Sequence, residues 1–169
     1  MTRSLLDDAF AHHTWATLAV TDAVLALTPA QLATSAPGTY GSILDTMRHL
    51  VGADSWYLFR LGGIDQPLET EDSMDLTELR SVFEGHVEAW SRVLAAGPDP
   101  DDIVKAVRDD GSETHASRGL RFAQALHHGT DHRSQVCTAL TSIGIEPPTI
   151  DLWDFGMATG RVVELPPTS

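Results

Sequence analysis

Residues 125–135 read ALHHGTDHRSQ. His128 and His132 stand four apart. On an α-helix that separation puts both rings on one face about one turn apart, within reach of a single metal ion. Arg133 and Gln135 follow at once and offer a cation and an amide. The stretch also has a plainer meaning, two histidines at the polar end of a core-facing stripe. With 8 histidines in 169 residues, chance supplies about 0.4 pairs at this spacing, the false-positive risk of any short motif. Three features favour the metal. Ala125, His128, His132, Gln135, Val136 and Ala139 follow spacings of three and four, so both histidines lie where the helix turns its core face. Gly129 sits between them at a cost of about 1 kcal/mol relative to alanine, and a local rule broken beside polar residues is where function is expected. His49 lies in GSILDTMRHLVGADSWYLFRL, an otherwise apolar run in which a buried imidazole must find a partner.

Other residues rank lower. His12 and His13 are adjacent, so on a helix they diverge by about 100°; they are expected at the surface, one of them at most at a pocket mouth. His127 is turned from His128 by the same angle, and His86 and His115 have no partner at metal spacing. Cys137 lies about 140° around the helix from His132 and is expected to serve packing. Trp56 and Arg60, seven and eleven residues after His49, share its face, the first as a pocket floor and the second as an anchor for a polar ligand. Gln135 and Asp45 are expected to take the second N–H of a ligand imidazole, with Asp45 competing as a helix cap. No strand–turn–helix nucleophile elbow and no glycine-rich phosphate loop is present.

Helices must position these groups. The pattern predicts a first helix from about Ser4 to Leu27, a short one at Thr28–Gln31, a second long one from Ser42 to Leu61, and a third after the Asp75/Glu78 cap pair. Ser42 and Asp45 repeat the cap pattern, and Gly62 and Gly63 end the second long helix. IDQPLETEDSMD reads as a solvated linker. Asp110-Gly111, after Ile103–Val107, suggests a small hairpin before the last helix, Arg118 to Ile143. The tail, with Leu152, Trp153 and Phe155, is expected to pack back. The fold class is all-α, a four-helix bundle in a single domain over residues 1–169.

Composition narrows function. The chain has 24 Asp+Glu against 11 Lys+Arg, a net charge of -13, and no basic run that could neutralise phosphates, which argues against nucleic acid as a partner. No apolar run approaches the ~20 residues of a membrane span. The N-terminus breaks into acid and histidine where a secretory leader would stay apolar. With a single cysteine barring an intrachain disulfide, the expected location is cytoplasmic.

GSILDTMRHLVGADSWYLFRL followed about 80 residues later by HHGTDHRSQ resembles the DinB-like family, the DinB/YfiT-like metalloenzymes, whose pattern is one histidine in the second long helix and H-x-x-x-H-R-x-Q in the last. The resemblance extends from HHTWATLAV through LTPAQL to GIEPPTIDLWDF. It implies an up-down-down-up bundle and a divalent metal, zinc or nickel ahead of iron or manganese, held by His49, His128 and His132. It also implies relatives among thiol-cofactor S-transferases, including a mycothiol-dependent isomerase, and association as a homodimer. Three neutral imidazoles leave the ion an open position for a substrate group. The expected activity on a small-molecule substrate is therefore thiol transfer or isomerisation with a low-molecular-weight thiol such as mycothiol. The alternatives are metal-dependent hydrolysis and a non-catalytic metal staple between helices.

Overall fold

The computed structural model describes residues 4–108, 110–165 and 167. Four long helices, α1 (Leu5–Leu25), α3 (Ile43–Leu61), α4 (Leu76–Ala95) and α5 (Arg118–Ser142), pack side by side, with the short α2 (Pro29–Leu32) and α6 (Leu152–Ala158) beside them. The chain is mostly helical, as its periodicity predicts. Each start follows local chemistry: Ser4 with Asp7, Thr28 with Gln31, Ser42 with Asp45 and Asp75 with Glu78 form reciprocal caps that satisfy otherwise orphaned backbone N–H groups. Gly62 ends α3 at φ +80°, the left-handed conformation that favours glycine. The Asp110-Gly111 turn joins β1 (Ile103–Val107) to β2 (Glu113–Ser117), paired antiparallel with Val104 opposite Ala116.

Contacts run α1 to α4, α4 to α3, α3 to α5 and α5 back to α1, closing a ring. Two apolar clusters fill it. Val20, Val24, Met47, Leu50, Leu79, Phe83, Val136 and Leu140 make the larger. Phe10, Leu58, Trp90, Val93, Phe122 and Ala125 make the second. On every long helix a buried polar residue lies between its contributions to the two clusters: His13 and Thr17 on α1, Asp54 on α3, His86 on α4, Arg133 on α5. A polar layer thus divides the core; on α5 His128 and His132 stand at its level, and on α3 His49 lies among residues of the larger cluster.

Two expectations need correction. The segment before α4 is no free linker: Arg48 donates to the Met74 carbonyl at 3.0 and 2.9 Å, Ser55 Oγ accepts the Leu68 N–H at 2.7 Å, and a 3-10 turn forms over Glu71–Ser73. Its apolar Leu68 and Met74 need burial, and that pulls the backbone in. In the tail, Phe155 packs against His12 and Trp15, but Leu152 and Trp153 stay exposed because α6 presents only one face to α1.

Candidate metal centre

His49 comes from the middle of α3, and His128 and His132 come from consecutive turns of α5. The Nε2 atoms of His49 and His128 lie 3.0 Å apart, and one ring nitrogen from each of the three histidines falls within 4.8 Å of the others. A tetrahedral ion with metal–nitrogen bonds of 2.0–2.1 Å sets its ligand nitrogens about 3.3 Å apart. The donor set and its spacing therefore fit a divalent metal.

The surroundings prepare these nitrogens. Gln135 Oε1 accepts the Tyr40 backbone N–H at 2.8 Å and faces His132 Nδ1 at 3.1 Å. A backbone N–H can only donate, so the atom it meets is the amide oxygen. His132 Nδ1, facing the same oxygen, must then carry its proton, and this leaves the Nε2 lone pair for a metal. Tyr40 also stacks on the His49 ring, 4.1 Å between centroids and 9° between planes. Burial first, then the neighbouring His132 and His49, push His128 down to about 4. Burial and His132 push His49 down as well. Both rings are therefore neutral near neutral pH, the form that binds a metal. Beside His49 a groove of about 460 Å³ is lined by Tyr40, Gly41, Asp45, Glu71 and Asp72. A larger groove of about 870 Å³ crosses Phe10, Val87 and Trp90 between α1 and α4. It is mainly apolar and no histidine lines it, so the chemistry belongs to the smaller one.

The expectation for Gln135 holds and that for Asp45 fails. Asp45 Oδ2 is taken by the Ser42 hydroxyl at 2.6 Å and backbone N–H at 3.3 Å, the local cap, and makes no hydrogen bond to His49. Trp56 does not floor the site either: Tyr57 approaches His128, at 6.0 Å between centroids, while Trp56 lies under Arg60 and Arg121. His127 and His115 are exposed. Cys137 is half-buried against the core, and its thiol is pushed up by burial.

His13 and His86 are the larger misses. Both are buried, and both donate to Asp54: His13 Nε2 to Oδ1 at 2.9 Å, His86 Nδ1 to Oδ2 at 2.8 Å. Trp90 Nε1 adds a third donor at 3.1 Å. Arg133 Nη1 meets His13 Nδ1 at 3.1 Å and Thr17 Oγ1 at 3.0 Å. Guanidinium only donates, so His13 Nδ1 accepts and its Nε2–H points at Asp54. Burial alone would push the Asp54 carboxyl up, but the bonds from His13 and His86 hold it well below the usual carboxylate range. Gly129 belongs to this layer. A Cβ there would lie 2.5 Å from His13 Cε1 and 2.8 Å from Arg133 Nη1, so the glycine lets α1 and the Arg133 head close on α5. Two signals for the layer were in the sequence: a carboxylate inside the apolar α3 run, and His86 with Trp90 four apart.

A helical fold that gathers three imidazoles from two adjacent helices defines a protein with a candidate divalent-metal centre. The DinB family model matches residues 1–163, and the chain belongs to the DinB family. No curated relative matches it.

Proposed function

We propose that this protein is a divalent-metal enzyme that delivers the thiolate of a low-molecular-weight thiol, such as mycothiol, to an electrophilic carbon of a small-molecule substrate, as an S-transferase or isomerase. One observation carries the reading: His49, His128 and His132 form a three-nitrogen ligand set with no fourth protein ligand in the cluster among the described residues, the pattern of catalytic rather than structural sites. A bound ion, zinc or nickel ahead of iron or manganese, supplies an open Lewis-acidic position that lowers the pKa of a thiol. The chain does the rest. Gln135 holds the His132 ring in one tautomer, and Tyr40 fixes the His49 plane. Burial raises the Cys137 thiol, which favours a reacting thiol supplied by the ligand. Glu71 favours hydrolysis as a second reading: its Oε2 is buried without a partner, it lines the groove beside His49, and a carboxylate there can take a proton from water.

We also read the ring of helix contacts as the up-down-down-up bundle, and the protein as a cytoplasmic homodimer, to be checked by sedimentation. The functional test is a screen of small thiols against electrophilic acceptors, with metal content and melting temperature measured alongside. His132→Ala should lose both metal and transfer, and Cys137→Ala should keep both. Loss of transfer in the cysteine variant with metal retained would make Cys137 the nucleophile. A lowered melting temperature in His132→Ala, with wild-type protein transferring nothing, would overturn thiol transfer and leave hydrolysis or the metal staple.

A further inference from the structure

We propose that Arg60, Arg121 and Trp56 form a subsite for an oxyanion, a carboxylate or phosphate, carried by the ligand whose other end reaches the three histidines. The guanidinium carbons of Arg60 and Arg121 stand 5.2 and 5.5 Å from the centre of the same Trp56 ring. Neither has a carboxylate within ion-pair distance among the described residues, in a chain with 24 Asp+Glu. The nearby Arg118, by contrast, has Asp102 at 3.4 Å. Arg121 is only 6% exposed, and among the described residues its side chain gives one hydrogen bond, to the Val104 carbonyl at 3.0 Å. Among the described residues, the Nε atoms of both Arg60 and Arg121 are buried without a partner. Burial and the neighbouring Arg60 both push Arg121 down, and Arg60 itself is half-buried. Indole faces offset part of that repulsion, but fork-shaped donors of like charge without an anion describe a receptor for one.

Position ties the subsite to the metal centre. Trp56 is seven residues after His49 and Arg121 seven before His128, so each lies about 10 Å along its helix from a metal-motif histidine. Tyr57, against His128, bridges the interval. A ligand holding one atom at the histidines therefore places an oxyanion about 10 Å away. That length rests on the metal reading above; the anion subsite itself does not.

Inorganic phosphate tests the subsite on metal-free protein. It should raise the melting temperature of the wild type and bind Arg60→Gln at least about tenfold more weakly, the loss of one charged hydrogen-bonding partner. Arg60→Glu should place a carboxylate beside Arg121, melt higher than Arg60→Gln and ignore phosphate. If phosphate leaves the wild type unchanged, or acts equally on all three proteins, the subsite does not exist. Cobalt-loaded protein then reports reach through its thiolate charge-transfer band. Affinity for ω-mercaptoalkanoates should peak at the chain that spans about 10 Å, and the peak should vanish in Arg60→Glu and for the matching mercaptoalcohols. A flat series in the wild type, with the band present, overturns the link between subsite and histidines. No band with any thiol overturns the thiolate reading, and the phosphate result then decides the subsite by itself.

Discussion

A single oxygen, Gln135 Oε1, shows how much of the site is decided one atom at a time: its two N–H neighbours dictate which nitrogen His132 can offer. The rings of His49 and His128 are decided by burial and by the neighbouring His132. Because His128 is lowered to about 4 in the folded chain against about 6.5 in the unfolded one, the unfolded state binds its proton first as the medium is acidified. Metal-free protein should therefore be unaffected by this group above about pH 6.5, lose stability as pH falls toward 4, and lose no more below that; denaturant melts of wild type and His128→Gln across that window check it. Asp54 is the other residue on which much depends. It carries the negative charge facing Arg133, reached through His13, and Arg133 is itself pushed down to about 10 by burial. Asp54→Ala should leave a buried cation uncompensated and cost about 3–5 kcal/mol in chemical denaturation.

Between elements, the site is held by a loop as well as by two helices. The segment joining α2 to α3 is fastened to α5 where Tyr40 donates to Gln135. Gln135→Ala should cut both that tie and the support of His132, weakening metal affinity about 10- to 100-fold while the helical circular dichroism stays; a competition titration with a chelator measures it. The three metal-motif histidines were legible in the sequence because two obey one helix's period and the third interrupts an apolar run. The Asp54 layer was legible only in fragments, the carboxylate in the apolar α3 run and the His86/Trp90 pair, because its members come from four helices and no pattern within one helix joins them. His13 was misjudged for the same reason: next to His12 it looks like surface, and only the approach of α3 and α5 buries it. Asp45 was legible only as an ambiguity, which the Ser42 cap resolves. Gly129 was noticed, but its cause, the His13 ring against α5, needs the folded neighbour.

For the molecule as a whole, the metal motif joins α3 to α5 while the polar layer ties all four long helices together. No helix among the described residues is long and apolar enough to cross a membrane. A ligand that binds only the folded chain adds stability in proportion to the logarithm of its concentration. Saturating zinc or nickel at about a hundredfold over its dissociation constant should add about 2.7 kcal/mol, a gain that His49→Ala should lose; thermal melts against metal concentration read both. The groove beside His49 has one more consequence. Asp45, Glu71 and Asp72 line it, in a chain whose net charge is -13. Their combined field draws a divalent cation in from solution and repels anions from the same opening. Loading of a metal would therefore be a steered encounter whose rate falls as ionic strength rises and the Debye length shrinks to about 10 Å or less. On the two proposals above, ions and acidic ligands would come to the three histidines from opposite ends of α3.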